Sequence, residues 1–378
     1  MANLHVLGVP HTITRSDYSA CAFTQKVLKF CAMMRGAGHR ITHYGHPESV
    51  VDADEHVSVT DNSVLESCYG VYNWKKQFFK HDRNDLAHVH FNRVAGQEIA
   101  ARKQPGDLIL AFWGWGTKSA CDANPDLMAI EPGIGYASSW ARWRVYESYA
   151  VMHAAMGSES VQYSGNCNWY WTVIPNYFDV KDFTFQPVKQ DYLLHLGRIG
   201  TNKGLHISID VAKRAGMRLK IAGQGSPQDV GLSEWPDHVD YVGYAGPEER
   251  RELMANARAL MLPSQYLEPF GGTQIEAFLS GTPVITSDWG VFNETNIHGK
   301  TGFRCRTMGE FVYAAKNVHL LSPETCKNWA LENYSFEAIR PKYLHYFEQL
   351  AEIQSGAGWY ADRCGDYFTR AYGQLSTP

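Results

Sequence analysis

The sequence predicts an α/β protein with two doubly wound domains, each a parallel sheet covered by helices on both faces. The chain has 378 residues, of which 44% are hydrophobic and 20% charged, as in a globular protein with room for two cores. Short apolar runs alternate with segments of helical period, which is typical of crossover units in parallel sheets. Glycine and proline mark helix ends: Gly246-Pro247 opens one helix, and Gly281 occupies the position that follows another.

The alternation is clearest in the second half. Strands are predicted at 192–197, 218–223, 239–244, 259–263 and 283–288, and helices at 204–215, 247–256 and 273–280. In the first half, strands are predicted at 5–10, 40–44, 107–113 and 127–130, a helix at 22–35, and mostly helical structure over 62–104. We expect one domain over 1–175 and a second over 176–345, facing each other across a cleft. Carboxy-terminal helices over 346–378 are expected to cross back to the first domain.

Composition excludes several classes of protein. The net charge of −4 gives no overall attraction to nucleic acid or anionic membranes. No apolar run is long enough to span a bilayer, and the amino terminus lacks the pattern of a secretory signal, so a cytoplasmic location is expected. The eight cysteines form no C-x-x-C pair, which gives no sign of a zinc site or a redox pair. No metal is predicted.

A loop with two glutamates is the strongest functional signal. Glu268-Pro-Phe-Gly-Gly-Thr-Gln-Ile-Glu276 follows a predicted strand and runs into a helix expected to begin at Thr273. Gly271 and Gly272 allow close approach of backbone N–H groups to a ligand, and the start of the helix favours an anion. Glu276 could bind the hydroxyls of a ribose, but Thr273-Gln-Ile-Glu276 is equally well a capping box.

A second loop joins a strand to a helix in the same half. Gly197-Arg198-Ile-Gly-Thr-Asn-Lys203-Gly204 places an arginine and a lysine five residues apart between glycines, which suits a diphosphate. It lacks the P-loop pattern, so hydrolysis of a nucleoside triphosphate is disfavoured. Gly225, in Gly223-Gln-Gly225, is weaker evidence, because a tight turn explains this pattern equally well.

Taken in order, these motifs resemble the donor domain of retaining glycosyltransferases of family 4, which have the GT-B fold. The resemblance covers roughly residues 170–340 and includes Gly281-Thr-Pro-Val-Ile and Glu294. It implies that Arg198 and Lys203 hold the diphosphate of a sugar nucleotide, that Glu268 and the glycine amides hold the sugar, and that Glu276 holds the ribose. The predicted donor-binding residues are Gly197, Gly225, Tyr244, Phe270, Gly271, Gly272, Thr273 and Glu276.

The first half departs from that family. Many members have a Gly-Gly turn after the first strand and a histidine near the cleft; here residues 14–21 contain no glycine, and the segment 128–136 offers Glu131. Glu131 either orients an acceptor hydroxyl or pairs with Arg142 or Arg144. His11, which follows the first strand, is the other candidate catalytic residue, although a lone histidine is more often structural.

Residues 69–93 mix aromatic rings with lysines and arginines. Such a mixture can bind nucleic acid, but an amphipathic helix explains it more simply. Phrases such as Glu131-Pro-Gly-Ile-Gly-Tyr136 are similar to glycosyltransferases of tailed phages, some of which modify hydroxymethylated cytosine in DNA; a phage enzyme would act in the host cytoplasm.

The leading hypothesis is therefore a metal-independent, retaining hexosyl- or pentosyltransferase that uses a UDP-sugar and modifies such a base. Alternatives are a glycan or small-molecule acceptor, a UDP-sugar epimerase, or a non-catalytic module that binds a sugar nucleotide.

Overall fold

The computed structural model describes residues 2–18, 20–74, 79–159 and 170–354. The chain divides into two compact units. The first comprises Met1–Glu147, Ser160–Tyr177 and Phe336–Pro378, and the second comprises Ser148–Glu159 and Phe178–Ser335.

Strands and helices alternate along the described residues of both units. The strands are β1 (Asn3–Leu7), β2 (Arg40–Gly45), β3 (Glu55–Ser58), β4 (Leu108–Ala111), β5 (Met128–Ile134), β6 (Trp143–Tyr146), β7 (Trp171–Val173), β8 (Tyr192–Leu196), β9 (Arg218–Ala222), β10 (Val239–Gly243), β11 (Ala259–Leu262), β12 (Val284–Ser287) and β13 (Gly302–Cys305). The helices are α1 (Ala22–Met34), α2 (Asn62–Tyr69), α3 (Leu86–Arg102), α4 (Lys118–Asp122), α5 (Tyr149–Glu159), α6 (Leu205–Ala215), α7 (Pro247–Asn256), α8 (Gly272–Leu279), α9 (Phe292–Thr295), α10 (Met308–Asn317), α11 (Pro323–Tyr334) and α12 (Phe336–Gln354).

Each unit contains one parallel sheet whose strand order reverses near its middle. The first sheet has the order β3-β2-β1-β4-β5-β6-β7, and the second has the order β10-β9-β8-β11-β12-β13. The reversal falls between β1 and β4 in the first sheet and between β8 and β11 in the second. Because connections leave such a point in opposite directions, the loops that follow the two central strands leave a crevice there, where ligands bind in open α/β sheets.

In the first unit, both faces of the sheet are buried. Successive residues of β4 alternate between two cores: Leu108 and Leu110 pack in one core, and Ile109 packs in the other. The first core contains α1 and α12, and the second contains α3 and α4. Helix α12 begins at Phe336, and residues 355–378, the rest of the predicted carboxy-terminal helices, lie outside the described residues.

The second unit shows the same alternation. In β11, Leu260 packs in the core with α7, α8 and α11, whereas Met261 packs in the core with α6 and α10. A strand buried on both faces reads as a continuous apolar run, which is why the sequence identifies these strands well. Helices with clear start signals are well placed too: α7 begins at Pro247, the residue after Gly246.

Candidate functional site

The loops after β8 and β11 meet at the carboxyl edge of the second sheet. The two strands are neighbours, and the backbone N–H of Gln265 in one loop donates to the carbonyl of Asn202 in the other at 2.9 Å. Gly204 ends the first loop with a φ of +69°, and a Cβ there would lie 2.0 Å from the carbonyl oxygen of Pro263. Glycine is thus required for the two loops to lie this close.

Lys203 and Glu268 are brought together by this contact. The Lys203 Nζ lies 3.0 Å from Oε2 and 3.2 Å from Oε1 of Glu268. Ser264 donates its hydroxyl to the same carboxylate at 3.1 Å, and Lys203 also donates to the Tyr266 hydroxyl oxygen. The side chains of Lys203 and Glu268 keep 26% and 12% of their surface exposed, so both can reach a ligand.

Tyr266 adds a neutral hydroxyl beside this pair. Burial and the Glu268 carboxylate raise its pKa above the ordinary value, against the effect of the Arg198 cation, which lowers it. Arg198 is exposed, and its electrostatic effect on Tyr266 places it near this phenol. The three predicted charged residues Arg198, Lys203 and Glu268 are therefore grouped around one phenol that the sequence analysis did not identify.

The start of α8 corrects one prediction. The helix begins at Gly272, with Gly271 in the N-cap position at φ +69° and no side chain capping it. The predicted capping box at 273–276 is therefore wrong: Glu276 is the fifth residue of the helix, too far along to bond the N-cap amide. The first N–H groups of α8 have no side-chain partner among the described residues, and they suit an anion.

Glu276 instead pairs with Arg250 of α7. The Arg250 Nε lies 3.0 Å from Oε2 of Glu276, and a second guanidinium nitrogen bonds the same oxygen. These two residues are 26 positions apart in the sequence, and no local motif links them, so Arg250 could not have been selected from the sequence.

The other predicted donor-binding residues differ in exposure. Tyr244 and Gly225 are exposed, and Gly197, Gly272 and Thr273 are half-buried. Phe270 is only 2% exposed, and its ring stacks on Phe178 in the core of the unit. The Phe270 ring is therefore part of the core and stabilises the loop through its packing there.

Glu294 and Ser148 help to position the loop that carries Glu268. The Glu294 carboxylate accepts hydrogen bonds from the N–H groups of Tyr149 and Ala150 at 2.9 and 2.7 Å, which caps α5. Ser148 donates its hydroxyl to the carbonyl of Pro269 at 2.7 Å. Because Pro269 follows Glu268, the start of α5 helps to fix the glutamate loop.

In the first unit, Glu131 is completely buried. Its Oε2 accepts hydrogen bonds from the N–H groups of Trp140 and Ala141 at 2.9 and 2.8 Å, and its Oε1 accepts one from the Tyr136 hydroxyl at 3.2 Å. Burial raises its pKa, an effect opposed by these bonds and by the nearby Arg144 cation. The carboxylate organises its own loop, which argues against the predicted contact with an acceptor.

His11 is also buried, at 5% exposure. Its ring stacks on His81 with centroids 4.8 Å apart and lies 4.8 Å from the ring of Trp113. Burial and the neighbouring histidines lower its pKa well below the ordinary value, so it is neutral at pH 7. The structure places it behind a group of aromatic rings rather than at the protein surface.

Neither a group of metal ligands nor a membrane-spanning helix is found in the described residues. They contain no group of three or more histidine, cysteine, aspartate or glutamate side chains that could hold a metal ion. None of their helices has both the length and the apolar character that crossing a membrane requires.

Comparison with known proteins agrees with this geometry. Residues 179–326, which contain the glutamate and lysine loops, match the model of the family Glycosyl transferases group 1. Glycogen synthase from Mycobacterium tuberculosis is 34% identical over 237 residues, covering 59% of this chain and 56% of that protein. The chain thus spans little more than half the length of this relative. The second unit carries a glycosyltransferase group 1 domain.

Solved structures extend the likeness in fold to both units. The glycosyltransferase AviGT4, which is involved in avilamycin A biosynthesis, has a TM-score of 0.67 at 17% identity, covering 93% of this chain and 98% of that one. Anabaena HepE in complex with UDP and glucose has a TM-score of 0.63 at 14% identity, covering 92% and 100%. The predicted fold class, two parallel-sheet Rossmann-like domains of the GT-B type, is confirmed.

Proposed function

We propose that this chain is a glycosyltransferase whose second unit binds a nucleoside diphosphate sugar and transfers the sugar to a hydroxyl acceptor. The observation that carries the proposal is the contact between Lys203 and Glu268 beside the uncapped start of α8. In a sugar nucleotide, the bond from the anomeric carbon to phosphate keeps sugar hydroxyls and phosphate oxygens only a few ångströms apart. A donor therefore needs a cation and a hydroxyl acceptor side by side, as these two residues are.

The charges suggest how the reaction proceeds. The bond between the anomeric carbon and the diphosphate oxygen breaks, and a bond to the acceptor oxygen forms. Arg198, Lys203 and the N–H groups of α8 stabilise the negative charge on the departing diphosphate, which requires no metal ion. The departing phosphate takes the acceptor's proton. Attack from the face that the diphosphate leaves retains the anomeric configuration.

Glu268 serves donor binding in this proposal and not nucleophilic catalysis. Retaining glycosidases place a second carboxyl group about 5–5.5 Å from their nucleophile to act as acid and base. Here Lys203 and Ser264 donate hydrogen bonds to Glu268, and they orient it for hydrogen bonds to sugar hydroxyls. Glu276, held by Arg250, is proposed to bind the ribose. We propose UDP as the nucleotide because HepE, which has a similar fold, was solved with UDP and glucose.

The acceptor is the less constrained half of the proposal. The resemblance of the amino-terminal half to phage enzymes makes hydroxymethylated cytosine in DNA one candidate acceptor, in which case the enzyme would act in the host cytoplasm. A glycan or small-molecule acceptor is the alternative. A UDP-sugar epimerase is less well supported, since the donor loop matches transferases.

The test is a panel of UDP-, GDP- and ADP-sugars, incubated with the protein and with hydroxymethylated DNA, oligosaccharides or buffer. Mass spectrometry of the products should show a mass gain on one acceptor class with one donor. Glu268→Ala should abolish that gain while the protein stays folded. Glu332→Ala, an exposed glutamate on α11, is the matched control and should transfer normally.

Three results would contradict the proposal. Conversion of the donor to an epimer without any acceptor would indicate an isomerase. Full activity of Glu268→Ala would place the donor elsewhere. No binding of any sugar nucleotide by calorimetry would remove the donor site altogether.

A further inference from the structure

The first unit contains a cavity of about 430 Å³ that the donor chemistry does not use. Its walls are the rings of Phe23, His81, Trp113, Trp115 and Tyr136, and Asp82 and Arg83 also line it. The two tryptophans follow β4 and Tyr136 follows β5, so the cavity lies beyond the carboxyl ends of neighbouring strands, next to the point where the strand order reverses. This is the position where open α/β sheets bind ligands.

A hydrogen-bond chain fixes one wall of the cavity. Trp113 donates its indole N–H to Nε2 of His88 at 3.0 Å, so His88 carries its proton on Nδ1 and donates it to Asp85 at 2.8 Å. Asp85 also accepts the hydroxyl of Tyr69 at 2.6 Å. His88 is completely buried. A half-buried tryptophan that is tied to a buried histidine and a carboxylate is held in one orientation, as a binding surface requires.

The opposite wall is fixed as well. The Tyr136 hydroxyl donates to Glu131, and the Trp115 indole donates to the carbonyl of Ser138. Gly114 makes room for Tyr136, because a Cβ at that position would lie 2.8 Å from the tyrosine hydroxyl. With these ring donors engaged inside the protein, the walls offer a ligand ring faces and C–H edges.

The angles between the rings indicate the shape of the ligand. The planes of Phe23 and Trp113 meet at 86°, those of His81 and Trp113 at 67°, and those of Phe23 and Tyr136 at 50°. An extruded nucleobase is held in a pocket by stacking between opposed ring faces, which these pairs do not form. A pyranose ring has C–H bonds on both faces and around its edge, and these bonds are attracted to the negative faces of several tilted aromatic rings.

Charge near the cavity also favours a neutral ligand. Lys26 lies 5.2 Å from the ring of Phe23, but Glu147 neutralises it in an ion pair. Binding to a nucleic-acid backbone needs several cations directed at phosphates. The cavity presents one carboxylate and one guanidinium instead, Asp82 and Arg83, a combination that can accept hydrogen bonds from hydroxyl groups and donate to them.

We propose that this cavity binds a neutral pyranose ring, stacked on Trp113, Trp115 and Phe23, with its hydroxyls bonded to Asp82 and Arg83. That the ring belongs to the acceptor rests on the proposed function; binding of the ring does not. The acceptor then belongs to the carbohydrate class and is not a DNA base.

The test is calorimetric titration and saturation-transfer NMR on the full chain without donor. The probes are methyl α-glucoside, methyl α-mannoside, maltose, 5-hydroxymethyl-2′-deoxycytidine and a short oligodeoxynucleotide. We expect saturable binding of at least one sugar, weakened on the order of tenfold by Trp115→Ala, since an aromatic anchor contributes more than 1 kcal/mol at a binding site. Trp115 is 43% exposed, so its removal should leave the fold intact, and Arg83→Ala gives a second variant. Tyr313→Ala, an exposed aromatic residue on α10, should bind as the unmodified protein does.

The outcomes separate this inference from the proposed function. Absence of sugar binding, sugar binding that Trp115→Ala leaves unchanged, or saturable binding of the nucleoside or oligonucleotide alone would each overturn the carbohydrate assignment. If sugars bind through Trp115 but no sugar nucleotide is bound or turned over, the cavity assignment holds and the transferase proposal fails. If donors are turned over but no sugar binds, the reverse is true.

Discussion

The two units share one architecture but use the carboxyl edges of their sheets differently. In the second unit, the edge carries glycine-rich loops with charged groups that stay partly exposed, such as Lys203 and Glu268. In the first unit, the same edge carries aromatic rings, and charged groups such as Glu131 and Glu147 are buried with protein partners. The same crevice can therefore present either an electrostatic site or an apolar one, depending on the loops.

The two units differ in how easily a ligand can replace one member of an ion pair. A partly exposed pair is held by about 0–1 kcal/mol, so a ligand can replace one member at little cost. Removing one member of a buried pair leaves an uncompensated charge, which costs several kcal/mol. On this reasoning the charges of the second unit are available to a ligand, whereas the buried charges of the first unit hold its loops in place.

Histidines show the same contrast. Burial is the main cause that lowers the pKa of seven described histidines in the first unit: His5, His11, His39, His43, His46, His56 and His88. In the second unit, a lowered value is resolved for His195, to about 4. We therefore expect acid to destabilise the first unit more than the second.

The largest expected effect is on catalysis in the second unit. Lys203→Ala should lower the rate of donor turnover by about 10²–10³-fold, the loss typical of removing one preorganised group that stabilises transition-state charge. Its unfolding free energy should change by less than about 1 kcal/mol, since the pair with Glu268 is partly exposed. Turnover is measured as release of the nucleoside diphosphate, with Lys213→Ala as the exposed control. A normal rate in Lys203→Ala would remove the lysine from the donor site.

A matched lysine-to-alanine change in the first unit should lower the stability of the protein. Lys26 pairs with Glu147 and donates to the carbonyl of Gly133 at 2.7 Å, and the Glu147 side chain is only 5% exposed. Lys26→Ala should therefore lower the unfolding free energy by about 3 kcal/mol, measured by urea denaturation. Lys118→Ala breaks an exposed pair with Asp122 and should cost less than about 1 kcal/mol. Equal losses in the two variants would contradict the contrast between buried and exposed charges.

The sequence predicted nine of the thirteen described strands, including the edge strand β10, and missed β3, β6, β7 and β13. The predicted strand at 218–223 corresponds to β9 at Arg218–Ala222, and the predicted helix at 247–256 corresponds to α7 at the same positions. Strand β3, Glu-His-Val-Ser at Glu55–Ser58, was not predicted because an edge strand with polar residues has no apolar run. Strand β3 forms because it pairs with β2, and its own four residues do not indicate that pairing.

For the candidate site, too, the sequence predicted local features but not the contacts between distant residues. Lys203 and Glu268 were both selected from local motifs, but their contact spans 65 residues and follows from the order of β8 and β11 in the sheet. The capping box failed because Gly271 adopts a left-handed conformation and starts the helix one residue early. The aromatic cavity was missed since its rings come from four separate segments, and each ring alone reads as core.

The pH dependence of stability offers a test of the buried histidines. His43 is fully buried between His56 and Thr14, and burial lowers its pKa to about 3, from 6.5. As the pH falls from about 7.5 to 5, the unfolded chain binds a proton at this position and the folded protein does not, so the unfolding free energy falls by about 2 kcal/mol. His43→Gln should reduce the acid-induced loss by about that amount, measured by urea unfolding at both pH values. His206→Gln, on the exposed face of α6, should leave the loss unchanged; an unchanged loss in His43→Gln would mean that water reaches the ring.

The smallest expected effect distinguishes the two roles considered for Glu131. In Glu131→Gln, the amide oxygen can accept from the N–H groups of Trp140 and Ala141, and the NH₂ group can donate to the Tyr136 hydroxyl oxygen, so the present partners stay bonded. The unfolding free energy at pH 7 should then change by less than about 1 kcal/mol, and turnover should stay within about twofold. Since burial raises the pKa of Glu131 above 4.5, the stability that this group contributes is present below pH 4.5 and lost as the pH rises through the higher folded value. Because the glutamine variant does not titrate at this position, its unfolding free energy should increase relative to that of the unmodified protein as the pH rises over that range. A loss of turnover of a hundredfold with unchanged stability would instead mean that the carboxylate contacts the acceptor. In that case a buried charged group of the first unit, and not only the partly exposed charged groups of the second unit, would contribute to catalysis.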